Sequence, residues 1–424
     1  MAGERQDHAE RAESTPARTA PELRRARVAV GACFFTNAVL YANLVPRYPE
    51  VKEHLGVGNA ALGAALAAFP LGALLAGLSS AALIRRFGSA RLATSGMVVL
   101  GVALWSASIA PSWWLLAAAL LVAGALDAVV DVAQNASGLR VQRRYGRSIL
   151  NGLHGLWSIG AVTGGLLGSA AAGVGLPLGA HLGLSAAVFG ALALGASRWM
   201  LPGSDAADAA TGRAAGAAAV RPSPGRRTAV LALVALGLLA ACGAFVEDAG
   251  ASWSALYLRE DLAAGAATAG LGFVALQAAM TFGRLTGDRV VDRLGQRRTV
   301  RAGGAVTAAG MGVALAVPSV PATLVGFALA GLGVATLVPA VFAAADELPG
   351  LPRGLGLTVS NWLLRIGFLL SPPLVGLVAD ATSLRVALLG VVVAGAGALV
   401  LGRYLRPPGS TPFVAACDHS PRGG

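Results

Sequence analysis

Apolar segments of about 20 residues recur along almost the whole chain, and each is long enough to cross a bilayer as a helix. Only 13% of the residues are charged, whereas soluble domains usually have about 25%. Backbone polar groups in lipid must be satisfied within helices or closed barrels. We therefore expect an all-α integral membrane protein.

The apolar segments predict twelve transmembrane helices in two sets of six. Their expected ranges are 27–46, 60–84, 92–110, 114–137, 149–172 and 179–200, followed by 228–257, 265–286, 300–318, 321–344, 355–378 and 384–404. A polar linker at 201–227 separates an N-terminal half, 27–200, from a C-terminal half, 228–404. Residues 1–26 are polar and of mixed charge, which predicts a disordered tail, and 405–424 form a second tail.

The basic residues predict the orientation. Of the 33 Arg and Lys residues, two lie inside spans, four lie in loops on one side, and the rest lie in tails and loops on the other side. The residues inside spans are Arg284 and Arg365. The residues in loops on the less basic side are Arg47, Lys52, Arg259 and Arg385. By the positive-inside rule, both termini should be cytoplasmic, in the cytoplasmic (inner) membrane. The net charge of +12 then marks the cytoplasmic face, so we expect no nucleic-acid partner.

Several kinds of chemistry are excluded. The only lysine, Lys52, falls in an outer loop, so the chain has no phosphate-binding Gly-Lys-Ser/Thr loop and no ATP-driven transport of its own. The histidines and cysteines are scattered without metal-ligand spacing, and we expect no cofactor. A membrane-embedded enzyme or a passive channel is the alternative from another class. The enzyme would need a nucleophile or metal cluster that the sequence lacks.

The two halves share a local sequence. The segment from Arg86 to Arg91 (RFGSAR) follows the second span, and the segment from Arg293 to Arg298 (RLGQRR) follows the eighth, 207 residues later. Internal repeats on this scale are a common construction in secondary transporters.

With this loop motif, whose second copy extends from Gly287 (GDRVVDRLGQRR), the chain resembles the major facilitator superfamily. DVAQNASG (131–138), NGLHGLWSIGAVTGG (151–165), EDAGASWSALYL (247–258) and GRLTGDRVVDRLG (283–295) resemble its fucose-permease-like branch. The resemblance implies twelve helices in two pseudo-symmetric halves, with a cavity lined by helices 1, 2, 4, 5, 7, 8, 10 and 11. It also implies gating by the loop residues, although Arg85 stands where the family usually has Asp. The expected gating residues are Arg86, Gly88, Arg91, Asp288, Asp292, Arg293, Gly295 and Arg297.

Polar residues inside the spans are the candidate functional residues, because charged groups are costly in lipid. Asp127, Asp131 and Asn135 share one face of the fourth helix at i, i+4 and i+8. We expect proton coupling at Asp127, Glu247 or His154. The alternative is that the carboxylates only bond neighbouring helices.

Other intramembrane residues are candidates for substrate binding. Adding the 207-residue offset to His154 and Ser158 gives Asn361 and Arg365. Arg365 should either form a salt bridge with Asp127 or Glu247 or bind an anionic or hydroxyl-rich substrate. The expected substrate-binding residues are Asp131, Asn135, Trp157, Ser158, Asn361, Arg365, Asn37 and Gln277.

These features predict a monomeric secondary transporter that moves a small polar solute, such as a sugar, by alternating access. With no ATP site, the driving force must be a gradient, and buried carboxylates favour protons. Efflux of drug-like compounds is the alternative within this class. A polar cavity would favour the solute carrier, and an apolar cavity rich in aromatic residues would favour efflux.

Overall fold

The computed structural model describes residues 20–77, 79–146, 148–201, 226–348 and 355–405. In these ranges, twelve helices are long and apolar enough to cross a membrane, which confirms the predicted fold. We name them α1 to α12: Pro21–Leu55, Asn59–Gly77, Ser89–Ser108, Trp113–Tyr145, Leu150–Gly173, Leu178–Ser197, Val230–Asp261, Ala266–Leu294, Gln296–Ala316, Val320–Asp346, Leu355–Ala381 and Leu384–Tyr404. The predictions for 1–19, 202–225 and 406–424 fall outside the described residues.

The first helix begins earlier than predicted. Its main segment is Ala20–Ala42, so part of the polar stretch 1–26 is helical. Pro21 lies in the first turn and Glu22 follows it, and both residue types favour a helix start. An apolar pattern reports only the part of a helix that lies in lipid, so it missed this turn.

Several spans consist of shorter helical segments. In α2, Asn59–Leu66 is followed by Ala68–Gly77, and in α10, Val320–Val334 is followed by Leu337–Asp346. Pro70 and Pro339 lie just after these breaks, where a proline cannot bond the carbonyl four residues earlier. Helix α1 also contains Val45–Arg47 and Tyr48–Leu55, and a separate helix, Ser80–Phe87, follows α2. Helix α7 consists of Arg226–Leu256 and the π-turn Tyr257–Asp261. Helix α12 consists of Leu384–Ala387, Leu389–Leu401 and Gly402–Tyr404.

Helix packing follows the same scheme in both halves. In the N-terminal half, α1 packs on α5, α2 on α4, and α3 on α4 and α6. In the C-terminal half, α7 packs on α11, α8 on α10, and α9 on α10 and α12. Between the halves, α5 contacts α8 and α2 contacts α11. Adding six to each helix number of the pairs in the N-terminal half gives the pairs in the C-terminal half, and the same shift exchanges the two pairs between the halves. The halves are therefore related by pseudo-two-fold symmetry.

The repeated loops adopt the same backbone turn. Gly88 has φ 82° and ψ 145°, and Gly295 has φ 80° and ψ 152°. This region is essentially restricted to glycine. Each glycine ends one helix and begins the next, so the shared sequence encodes a shared turn.

One face of the bundle joins the halves, and we call it the Lys52 face. Lys52 forms an ion pair with Glu260 at 2.6 Å. The Asp380 carboxylate accepts hydrogen bonds from the backbone N–H groups of Asn59 at 2.9 Å and Ala60 at 2.8 Å. Below these contacts, Gly63 lies against the Pro372 carbonyl with no room for a side chain.

Candidate transport site

A cavity of about 300 Å³ lies between the two halves. Its lining comes from α1, α2, α4, α5, α7, α8 and α11, as the resemblance implied. Helix α10 was also expected to line the cavity, but none of its described residues does so. The polar and aromatic lining residues are Asn37, Tyr41, Phe69, Asp127, Trp157, Glu247, Asp248, Phe273, Gln277, Arg365 and Phe368.

In the N-terminal half, three lining residues form a chain of hydrogen bonds. The Trp157 indole N–H donates to the Asn37 Oδ1 atom at 2.9 Å. The Asn37 amide then donates from Nδ2 to the Asp127 Oδ1 atom at 2.8 Å. The three side chains come from α5, α1 and α4, so Asp127 is held by two other helices of its half.

In the C-terminal half, the two intramembrane arginines differ. Arg284 pairs with Glu247 at 3.5 Å. Arg365 lines the cavity, but we find no ion pair for it with any residue in the described ranges. Of the two sequence alternatives for Arg365, the salt bridge to Asp127 or Glu247 is therefore not formed.

Asp248 is a cavity residue that the sequence reasoning passed over in favour of Glu247. Its Oδ1 atom accepts a long hydrogen bond from the Ser252 hydroxyl at 3.4 Å. Its Oδ2 atom is buried and has no hydrogen-bond partner. The Ser371 hydroxyl lies beside the carboxylate without reaching hydrogen-bond geometry. Asp248 is thus a carboxylate with few donors.

Five of the expected site residues do not line the cavity. Asp131 accepts a hydrogen bond from Asn135 on its own helix at 3.1 Å, so these two partly satisfy each other. His154 donates from Nδ1 to the Leu150 carbonyl at 3.0 Å and is exposed. Ser158 is buried between helices, and Asn361 is partly buried outside the lining.

Four aromatic lining residues, Tyr41, Phe69, Phe273 and Phe368, were also missed, although the sequence contains a signal for three of them. Tyr41 lies four residues after Asn37, and Phe273 lies four residues before Gln277. Phe368 likewise follows Arg365 by three residues. Residues three or four apart share a helix face, so an aromatic residue one turn from a polar candidate should have been included.

Among the expected gating residues, Gly88 and Gly295 form the two repeated turns, and the others lie in the helices on either side of these turns. Arg86 packs over the neighbouring Phe87 ring at 5.3 Å. Asp288, Asp292, Arg293 and Arg297 make no ion pair with any residue that the structure describes. The described residues also contain no cluster of three or more His, Cys, Asp or Glu side chains that could hold a metal.

Known proteins with a similar sequence or fold indicate the family of this chain. The family model of the Major Facilitator Superfamily matches residues 233–418. An uncharacterized MFS-type transporter of Yersinia pestis is 30% identical over 364 residues, which cover 85% of this chain and 91% of the relative. Crystal structures with a similar fold include the nucleoside transporter NupG and FucP in the outward conformation. NupG has a TM-score of 0.69 and 12% identity, covering 89% of this chain and 97% of its own. FucP has a TM-score of 0.57 and 17% identity, covering 89% and 98%.

Twelve spanning helices in two related halves around a charged central cavity define a membrane transporter rather than an enzyme. The chain belongs to the Major Facilitator Superfamily. The resemblance to the fucose-permease-like branch stays a sequence-based prediction, since the structural likeness to FucP concerns the fold alone.

Proposed function

We propose that this protein is a secondary active transporter that moves a small polar solute, such as a sugar or related metabolite, by alternating access. The observation that carries the proposal is the cavity itself, where Asp127 of one half and Arg365 of the other face the same space. A volume of about 300 Å³ is at the lower end for small-molecule sites, which supports a compact solute. Arg365 forms no hydrogen bond or ion pair with a residue in the described ranges, which supports its binding an anionic group or hydroxyls.

Asp127 is the proposed proton carrier, assisted by Glu247. Asp127→Asn keeps the shape of the side chain but cannot ionise, so it should abolish accumulation driven by a pH gradient. Exchange of substrate across the membrane needs no net proton movement and should survive. Uptake into proteoliposomes, with and without an imposed gradient, compares wild type, Asp127→Asn and Glu247→Gln. Unchanged accumulation in both variants would mean that proton coupling lies elsewhere.

Efflux of drug-like compounds is the second candidate, favoured by the rings of Tyr41, Phe69, Trp157, Phe273 and Phe368 in the lining. The charged groups from both halves favour the polar solute, because a hydrophobic ligand would leave them without partners. A thermal-shift screen of purified protein against sugars, organic acids and drugs separates the two. Stabilisation by drugs alone would support efflux.

The repeated loops are the proposed gates. Because Gly88 and Gly295 adopt the same turn, each loop can transmit a movement between the helices that it joins. Asp292→Asn should lower the transport rate and leave substrate binding intact. An unchanged rate in a normally inserted variant would exclude this role for Asp292.

The proposed orientation has both termini in the cytoplasm and Lys52 outside, in the cytoplasmic membrane. The basic residues support it, and reporters at Gly212 and near Lys52 should lie on opposite sides. A single chain supplies the cavity, which supports a monomeric transporter. Reconstitution at one copy per vesicle should therefore retain transport.

A further inference from the structure

The hydrogen-bond chain from Trp157 to Asp127 has a fixed direction. An indole N–H is a donor only, and an asparagine side chain has its acceptor oxygen on one branch and its donor nitrogen on the other. Because Trp157 donates to Asn37 Oδ1 at 2.9 Å, the Asn37 nitrogen must face Asp127, where it donates at 2.8 Å. The Asn37 side chain is 4% exposed, so water has little access to compete for either bond.

The opposite orientation of the amide would be costly. It would aim the Asn37 oxygen at a carboxylate oxygen and the Asn37 nitrogen at the Trp157 N–H. Both contacts would then lack a donor–acceptor pair, and buried groups without partners cost about 1–3 kcal/mol each. Trp157 therefore selects one of two amide orientations.

The arrangement also leaves one oxygen of Asp127 available. Oδ1 accepts from Asn37, whereas no residue in the described ranges bonds Oδ2. Since Asp127 lines the cavity, Oδ2 is the atom that a proton or a substrate donor can reach. The donor on Oδ1 restricts rotation of the carboxylate and thereby orients Oδ2.

We propose that Trp157 is a positioning residue that acts on Asp127 through Asn37, rather than a hydrogen-bonding contact for the substrate. The proposal rests on the transport function proposed above and deepens it. The only polar atom of Trp157 is used by Asn37, so only its ring is left for the cavity. This changes the role expected for Trp157 and Asn37 from the sequence.

The test is a set of variants assayed for two activities, accumulation driven by a pH gradient and substrate exchange without one. Trp157→Phe keeps an aromatic ring and removes the N–H donor. Loss of one neutral hydrogen bond corresponds to about a fivefold change, so driven accumulation should fall about fivefold. The KM for exchange should stay the same. Asn37→Leu should cause at least the same fall.

The decisive measurement is the double variant. If Trp157 acts only through Asn37, adding Trp157→Phe to Asn37→Leu should cause no further loss. Losses that multiply would overturn the proposal, as would a raised KM for exchange in Trp157→Phe, since that would identify a substrate contact. Trp105→Phe is the matched control, because its indole N–H donates to the Gly179 carbonyl at 3.1 Å away from the cavity. It should leave both activities unchanged.

Two further measurements test the proposal if Trp157→Phe does not fold or if the protein is not proton-coupled. Benzothienylalanine at position 157 replaces the N–H with sulfur in a ring of the same shape, and it substitutes for Trp157→Phe if that variant does not fold. Thermal unfolding requires no transport and therefore remains informative if proton coupling proves wrong. The effects of changing Trp157 and Asp127 should be coupled when Asn37 is present and independent when it is Leu. Coupling that persists without Asn37 would overturn the positioning role.

Discussion

Asp127 and Asp248 line the same cavity from opposite halves, yet their surroundings differ. Asp127 accepts a hydrogen bond at 2.8 Å from a residue on another helix, which is itself held by a third helix. Asp248 accepts one bond of 3.4 Å from its own helix, and its second oxygen is buried without a partner. The halves repeat their helix packing but not the chemistry of their carboxylates.

The carboxylate in the N-terminal half is therefore well hydrogen-bonded, and Asp248 in the C-terminal half is poorly hydrogen-bonded. Most buried polar groups in native proteins have partners, and functional sites often give up stability for activity. The N-terminal half presents a carboxylate in a prepared environment. The C-terminal half presents one with a single long hydrogen bond and an oxygen that no described residue bonds.

The largest expected effect is a difference in stability between two alanine variants. Asp127→Ala leaves the Asn37 amide without its acceptor and should lower stability by about 1–3 kcal/mol. Asp248→Ala removes only the long hydrogen bond from Ser252 and an oxygen that has no donor, so stability should fall by less than in Asp127→Ala or stay the same. Thermal unfolding of the detergent-solubilised protein measures both. Equal losses would remove the distinction between the two carboxylates.

The two intramembrane arginines test the C-terminal half in the same way. Arg365→Gln should raise the KM about tenfold or more, as expected for a lost charge-assisted contact, without lowering the melting temperature. Arg284→Gln is the matched control. It breaks the pair with Glu247 at a side chain that does not line the cavity, so it should leave the KM unchanged. A raised KM in Arg284→Gln alone would exchange the two roles.

The smallest expected effect concerns contacts between the halves. Asp380→Ala removes two hydrogen bonds to a helix end, a loss of about 0.5–1 kcal/mol at an exposed site. The population open at the Lys52 face should rise about two- to fivefold. Spin-label distances between positions 54 and 382, on opposite halves, measure this population. Lys52→Ala breaks only an exposed ion pair and should change the distances less.

Much of the fold could be predicted because helices in lipid are specified by apolar length. The shared turn at Gly88 and Gly295 was readable for a similar reason, since this backbone conformation is essentially restricted to glycine. Asp127, Trp157 and Arg365 were found from the sequence because polar residues are rare in such helices. Each of these signals depends on one residue or one segment.

Pairing between distant residues could not be predicted. Glu247 and Asp248 differ by only 100° on a helix, so the sequence could not tell which one would meet Arg284. The contact between Asn37 and Asp127 spans 90 residues, and a single sequence contains no direct record of it. The sequence therefore predicts which residues form the site much better than it predicts the hydrogen bonds and ion pairs between them.

The contact at Asp380 also links separation of the two halves to the hydration of polar groups. Gly58 precedes the first helical segment of α2 and has no side chain to cap it, so the other half supplies the cap. When the halves separate there, the carboxylate and both backbone N–H groups must each be hydrated. Solutes excluded from protein surfaces, such as sucrose, favour states that expose less surface. The balance between the two proposed access states should therefore shift with osmotic strength on the side that Lys52 faces, at constant substrate and proton concentrations.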